Sequence, residues 1–129
     1  MRLSQDEARF PLVPTLRATL GVKGHRPTVG TWDNKDQAYC FAALNVVTGQ
    51  LTTRLLEQPA RSKAKTGLSK QQRLQVAFAA HLRDIAHAYP ASAYPEVVIT
   101  IDNAPWHRGA LMEQVLAAHP QLRLQRLPS

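Results

Sequence analysis

Asp102, Asn103 and His107 follow one another within six residues, directly after the run Val97-Val98-Ile99-Thr100-Ile101. A β-branched run of this kind reads as a buried strand. A carboxylate, an amide and an imidazole are therefore delivered to the end of a sheet, where open α/β folds place their sites. Asp6 stands at or near the end of a second candidate strand, Arg2 to Ala8. If these strands are parallel neighbours, the two carboxylates meet at one edge of the sheet. Nearby carboxylates repel unless a cation lies between them. Mg2+ takes one or two carboxylates and completes its shell with water and phosphate oxygens, and a two-metal site aligns the attacking and leaving oxygens of a phosphodiester. The chemistry would then be phosphoryl transfer. A plainer account uses the same residues, with Asp6 a surface acid and Asp102 a turn or helix cap. Spacing alone does not choose between them.

The neighbours carry the same ambiguity. Asn103 could bond a metal-bound water or orient Asp102, or simply shape the turn. His107 could touch a substrate phosphate or a metal-bound water, or pack at the start of the following helix. Trp106 could stack a base or pack against that helix. The five histidines are scattered and Cys40 is the one cysteine, so no zinc site is indicated.

Charge points to the partner. The chain has 129 residues with 16 Lys and Arg against 9 Asp and Glu, a formal charge of +7. That balance suits a polyanion, most simply nucleic acid, although a solvated basic surface has the same composition. Lys63, Lys65 and Lys70, with Arg61 and Arg73, form the densest basic patch, and Lys23 and Arg26 are similar candidates. Phosphate contacts are expected here rather than base reading, because no recognition helix is evident. A single cysteine fits a reducing compartment, the cytoplasm. No signal peptide is visible, and no apolar run approaches the ~20 residues needed to span a bilayer.

The elements that must hold these residues can be read in order. After the first strand, Phe10 to Pro27 is punctuated by Pro11, Pro14, Gly21, Gly24 and Pro27, which breaks any long helix. Gln37 to Val47 and Leu51 to Leu56 flank Thr48-Gly49 and read as a hairpin. Glu57 to Lys70 is a basic loop. Ser69 and Gln72 form a capping box ahead of a helix whose apolar face carries Leu74, Phe78, Leu82 and Ile85 and which ends before Pro90. Glu96 to Asp102 is the strand already described, Gly109 to Ala118 a second helix, and Leu122 to Leu127 alternates as a half-buried strand. The 44% hydrophobic content suffices for one domain, residues 1–129. Antiparallel strands followed by β-α-β alternation imply an α/β fold with a mixed sheet and helices. Cys40, inside an apolar run, reads as a small buried hydrophobe.

Asp6-Glu7-Ala8-Arg9-Phe10, followed by Leu12-Val13-Pro14-Thr15-Leu16-Arg17, resembles the opening of the catalytic domain of DDE transposases, nearest to bacterial insertion-sequence members of the mariner superfamily. Lys23-Gly24-His25-Arg26-Pro27 resembles that family's Lys-Gly-x-Arg-Pro element. Phe41-Ala42-Ala43-Leu44-Asn45 with Thr48-Gly49 resembles its hairpin, and Ile101-Asp102-Asn103-Ala104-Pro105-Trp106-His107 its second catalytic strand. These elements keep the family's order across nearly the whole chain.

The resemblance implies an RNase H-like mixed sheet, an antiparallel hairpin plus parallel strands flanked by helices. It makes Asp6 and Asp102 the first two acidic ligands of Mg2+ or Mn2+, with two metals expected in the complete domain. It further implies water-driven nicking of DNA and then attack by a 3′-hydroxyl on a target strand. DNA, as transposon ends and target, is the implied partner. Two departures stand out. The family's third acid, a Glu on a helix beyond the last strand, has no counterpart in residues 1–129, and Glu113 lies on the preceding helix. The usual N-terminal helix-turn-helix region is likewise not represented. The expectation is an incomplete catalytic domain without its C-terminal helix and with impaired cleavage. A second copy of the chain, or a separate polypeptide bringing the Glu, stays open as partner. The competing expectations are a catalytically inactive, nucleic-acid-binding remnant and a product that does not fold.

Overall fold

Strand alternation sets the architecture. In a computed structural model, residues 1–11, 20–25, 27–28, 37–58 and 67–128 are described. Strands β1 (Arg2–Pro11), β2 (Gln37–Asn45) and β3 (Leu51–Gln58) are followed by helix α1 (Lys70–Ala88), strand β4 (Val97–Ile101), a 3-10 turn (Pro105–His107), helix α2 (Ala110–Ala118) and strand β5 (Leu122–Arg126). The element order expected from the sequence is observed, with the 3-10 turn added. The five strands form one sheet in the order β3-β2-β1-β4-β5. β1, β2 and β3 pair antiparallel, whereas β4 and β5 run parallel to β1 and to each other.

The α/β mixed-sheet expectation is met, with adjustments at strand ends; β3 runs to Gln58, two residues into the stretch expected to be loop, because Gln37 and Ala38 of β2 pair with it there. β1 does not stop at Ala8. It runs to Pro11 because β2 pairs with it along its whole length, ending at Pro11↔Gln37. β2 stops at Asn45 rather than Val47, because the Asn45 carboxamide oxygen accepts from the Val47 and Thr48 amides at 3.0 and 3.2 Å and turns the chain. Gly49, at φ +74°, completes that turn where a side chain would be strained. Cys40 is half-buried, on the sheet face away from the helices.

The core lies on one side of the sheet. Leu3, Tyr39, Phe41, Val97, Ile99, Ile101 and Leu122 meet Leu74, Phe78, Leu82 and Ile85 of α1 and Met112 and Val115 of α2. Each fully buried large apolar side chain contributes about 1.5–3 kcal/mol. The capping box expected at Ser69 and Gln72 is present at the start of α1. The opposite face exposes Phe10, Leu44 and Leu55.

Candidate functional site

The site forms where β1 and β4 part. Their parallel register runs Arg2↔Val98, Leu3↔Ile99 and Ser4↔Thr100. Carried two places further, the same register sets Asp6 level with Asp102. The two strands are thus parallel neighbours, the condition on which a meeting of the two carboxylates depended. Alternation then separates Asp6 from its neighbour. Leu3, Gln5 and Glu7 turn toward the core face, while Arg2, Ser4 and Asp6 turn to the open face and are exposed. Asp6 lies inside β1 as paired with β2, opposite Ala42, rather than at that strand's end.

Asp102 follows the last residue of β4. Its Oδ1 accepts from the Ala104 amide at 2.9 Å, an Asx-type turn that directs the chain into Pro105-Trp106-His107. The 3-10 turn carries His107 back beneath the strand end. Its imidazole is completely buried against the Phe78 ring, with centroids 4.3 Å apart. His107 Nδ1 lies 3.0 Å from Asp102 Oδ1 and Nε2 lies 2.6 Å from Glu7 Oε1. Glu7 Oε1 also accepts from Trp106 Nε1 and Gln5 Nε2, each at 3.2 Å. Burial pushes the Glu7 carboxyl up, but the hydrogen bond and charge of His107, with the Trp106 and Gln5 bonds, outweigh it and hold the group below its ordinary value.

Ligand atoms of Glu7, Asp102 and His107 lie within 4.8 Å of one another. They do not make a cage for one ion. Both imidazole nitrogens already have partners, Nε2 at Glu7 Oε1 and Nδ1 at the Asp102 carbonyl at 3.3 Å with Oδ1 3.0 Å away, so neither is left as a ligand. The arrangement is a hydrogen-bonded chain. Its exposed end is Asp102, whose side chain is 56% accessible. Among the described residues nothing hydrogen-bonds Asp102 Oδ2, which leaves it for a cation. Asp6 and Asp102 together offer exposed carboxylate oxygens, the donor set Mg2+ and Mn2+ favour.

Asn103 Nδ2 donates to the Leu127 carbonyl at 2.9 Å and ties the end of β5 to this turn. Its amide serves the backbone there. Trp106 is half-buried against the core and spends its indole N–H on Glu7. Of the basic candidates, Lys23 is exposed in the turn closed by His25 N donating to Val22 O. Lys70 opens α1, exposed, with Nζ 5.5 Å from the Tyr39 ring centroid. Arg26, Lys63 and Lys65 lie outside the described residues. Glu7 is the residue that sequence reasoning passed over. The signal was strand parity, since counting by twos from the core residue Leu3 reaches Gln5 and Glu7 but not Asp6.

A mixed five-stranded sheet in the order 3-2-1-4-5, with an antiparallel hairpin, two parallel strands and covering helices, is an RNase H-like fold. The chain is similar in fold to the crystal structure of the mariner Mos1 paired end complex with Mg, at 18% identity and a TM-score of 0.56 over 99% of this chain and 35% of that one. It is similar to the Mos1 mariner paired end complex with Mn at 16% identity and 0.57, over 95% and 34%. For the Mos1 strand transfer complex the values are 17% and 0.54, over 99% and 34%. The chain therefore spans about a third of the length of the solved chains it matches. No protein-family model and no curated protein matches the sequence.

Proposed function

We propose that residues 1–129 are the RNase H-like catalytic core of a DDE-type DNA transposase, cutting DNA and joining the freed 3′ end to a target strand. One observation supports this reading: β1 and β4 are parallel neighbours, and their register, carried two places past Ser4↔Thr100, would set Asp6 level with Asp102. Asp6 and Asp102 would hold Mg2+ or Mn2+ through oxygen alone, leaving the other positions to water and DNA phosphate. When bound, the metal polarises the phosphodiester and lowers the pKa of attacking water. No side chain acts as nucleophile, so the protein's contribution is positioning and charge neutralisation. The Mos1 structures, solved as transposon-end complexes and with Mn or Mg, support the same class of partner and ion for this fold. Lys23, Lys70 and the basic stretch with Arg26, Lys63 and Lys65 would contact DNA phosphates. The motifs quoted above favour the bacterial insertion-sequence branch, and the single cysteine fits a cytoplasmic setting. Residues 1–129 hold two of the three acids that the resemblance calls for, so nicking by these residues alone is expected to be impaired.

The test is Mn2+ binding together with nicking of supercoiled DNA in Mg2+ or Mn2+, for the protein and for Asp6→Ala and Asp102→Ala. Loss of Mn2+ binding in both variants, with any nicking lost as well, is expected. If both variants bind Mn2+ and treat DNA as the parent does, the reading is wrong.

A further inference from the structure

We propose that Glu7 is a positioning residue for the metal ligand Asp102 and acts on it through His107. The inference rests on the reading of Asp102 as a ligand. Asp102 is mostly exposed and sits just past the end of β4, so the strand does not by itself fix its carboxylate. Its Oδ1 accepts from the Ala104 amide at 2.9 Å, and His107 Nδ1 lies 3.0 Å from the same oxygen while it hydrogen-bonds the Asp102 carbonyl at 3.3 Å. Both contacts hold the residue on its Oδ1 side, and among the described residues Oδ2 has no partner.

The His107 ring is in turn fixed from behind. Phe78 packs on its face, Arg126 donates to its carbonyl at 2.7 Å, and Glu7 takes Nε2 at 2.6 Å. Only the last of these sets the rotation of the ring edge facing Asp102. Glu7 itself has little freedom. Its side chain is 7% exposed and one oxygen gathers three donors. Partners of this kind, one bond removed from a metal ligand, typically change metal affinity 10–100-fold when lost. Glu7 therefore reaches the metal site without touching it.

Mn2+ binding to the full chain, measured by the electron paramagnetic resonance of free Mn2+, tests this without reference to DNA cleavage. Glu7→Gln is expected to raise the Mn2+ Kd about tenfold. The same change in a His107→Asn background is expected to have a several-fold smaller effect, because the link has already been cut. Two isosteric replacements of His107 give a separate reading that does not depend on Glu7→Gln folding. Asn places its amide where Nδ1 stood and keeps the contact with Asp102. Gln places it where Nε2 stood and keeps only the bond to Glu7. His107→Gln is therefore expected to weaken Mn2+ binding more than His107→Asn. Equal effects of Glu7→Gln in the two backgrounds, or equal effects of Asn and Gln at 107, would overturn the proposal. Asp102→Ala run alongside separates the two levels. If it leaves Mn2+ binding intact, the ligand assignment falls and this inference with it. If it abolishes binding while Glu7→Gln leaves the Kd unchanged, only the role of Glu7 falls.

Discussion

His81 gives the sharpest stability prediction. The side chain is fully buried in the core beside Phe41, and among the described residues neither ring nitrogen has a hydrogen-bond partner. Burial drives its pKa down to about 4 from an ordinary 6.5; Asp84 and Glu7 oppose the shift and Arg54 reinforces it, all to a smaller extent. The sign follows from proton counting. Between these two values the unfolded chain binds a proton that the folded chain does not, so stability falls as pH is lowered through that window. The full loss is about 3 kcal/mol, a large share of the ~5–15 kcal/mol typical of a domain. Urea unfolding at pH 7, 6, 5 and 4, for the protein and for His81→Leu, isolates the effect, since carboxylate titration is common to both. At pH 7 the variant should be as stable or more so, because two unsatisfied polar atoms are removed. By pH 4 it should lead by most of that 3 kcal/mol. Parallel pH profiles would refute the reasoning and mean that the native imidazole is protonated or hydrogen-bonded.

Other perturbations follow from the same packing. Phe78→Ala removes a completely buried ring that touches both Phe41 and His107; it should cost about 3–5 kcal/mol in urea unfolding. Ser69→Ala removes the α1 cap and should cost about 1 kcal/mol, read as a lower Tm. Arg54 grips Asp84 with two bonds of 2.6 and 2.8 Å, yet the side chains are 39% and 35% exposed. Arg54→Ala should therefore cost no more than about 1 kcal/mol, and less in high salt when urea melts are repeated there. Lys70→Ala should lower the slope of log K against log salt for DNA binding by about 1 if its ammonium meets a phosphate. An unchanged slope removes Lys70 from the interface.

The elements with a strong local signature could be read from the chain directly. α1 announces itself through Ser69, Gln72 and the spacing of Leu74, Phe78, Leu82 and Ile85, and each is used as expected. The hairpin and the β-α-β order were equally open to inspection, as was the parallel placement of Asp6 and Asp102 as a condition. The 3-10 turn at Pro105 was not, because three residues show no periodicity. The full length of β1 was not, because its last residues are held by β2 rather than by their own pattern. Glu7 was hidden by chemistry. A charged residue next to a candidate ligand draws attention to the ligand, and burial of a carboxylate is uncommon without partners. Its partners Trp106 and His107 are about a hundred positions away.

The seam between β1 and β4 also sets a timetable. The Met1 amino group bonds the Glu96 carbonyl and the Val98 amide bonds the Met1 carbonyl, so the seam closes a loop of some 95 residues. Closures that long come late in folding, after local helices and hairpins have formed. On the ribosome, Asp6 emerges well before Asp102 has been synthesised. The β1–β2–β3 meander and α1 can settle while this edge of the sheet has only one of the two carboxylates. On the function proposed above, the two carboxylates would come together only in a chain whose β1–β4 seam has closed, and no unfinished chain would carry the pair.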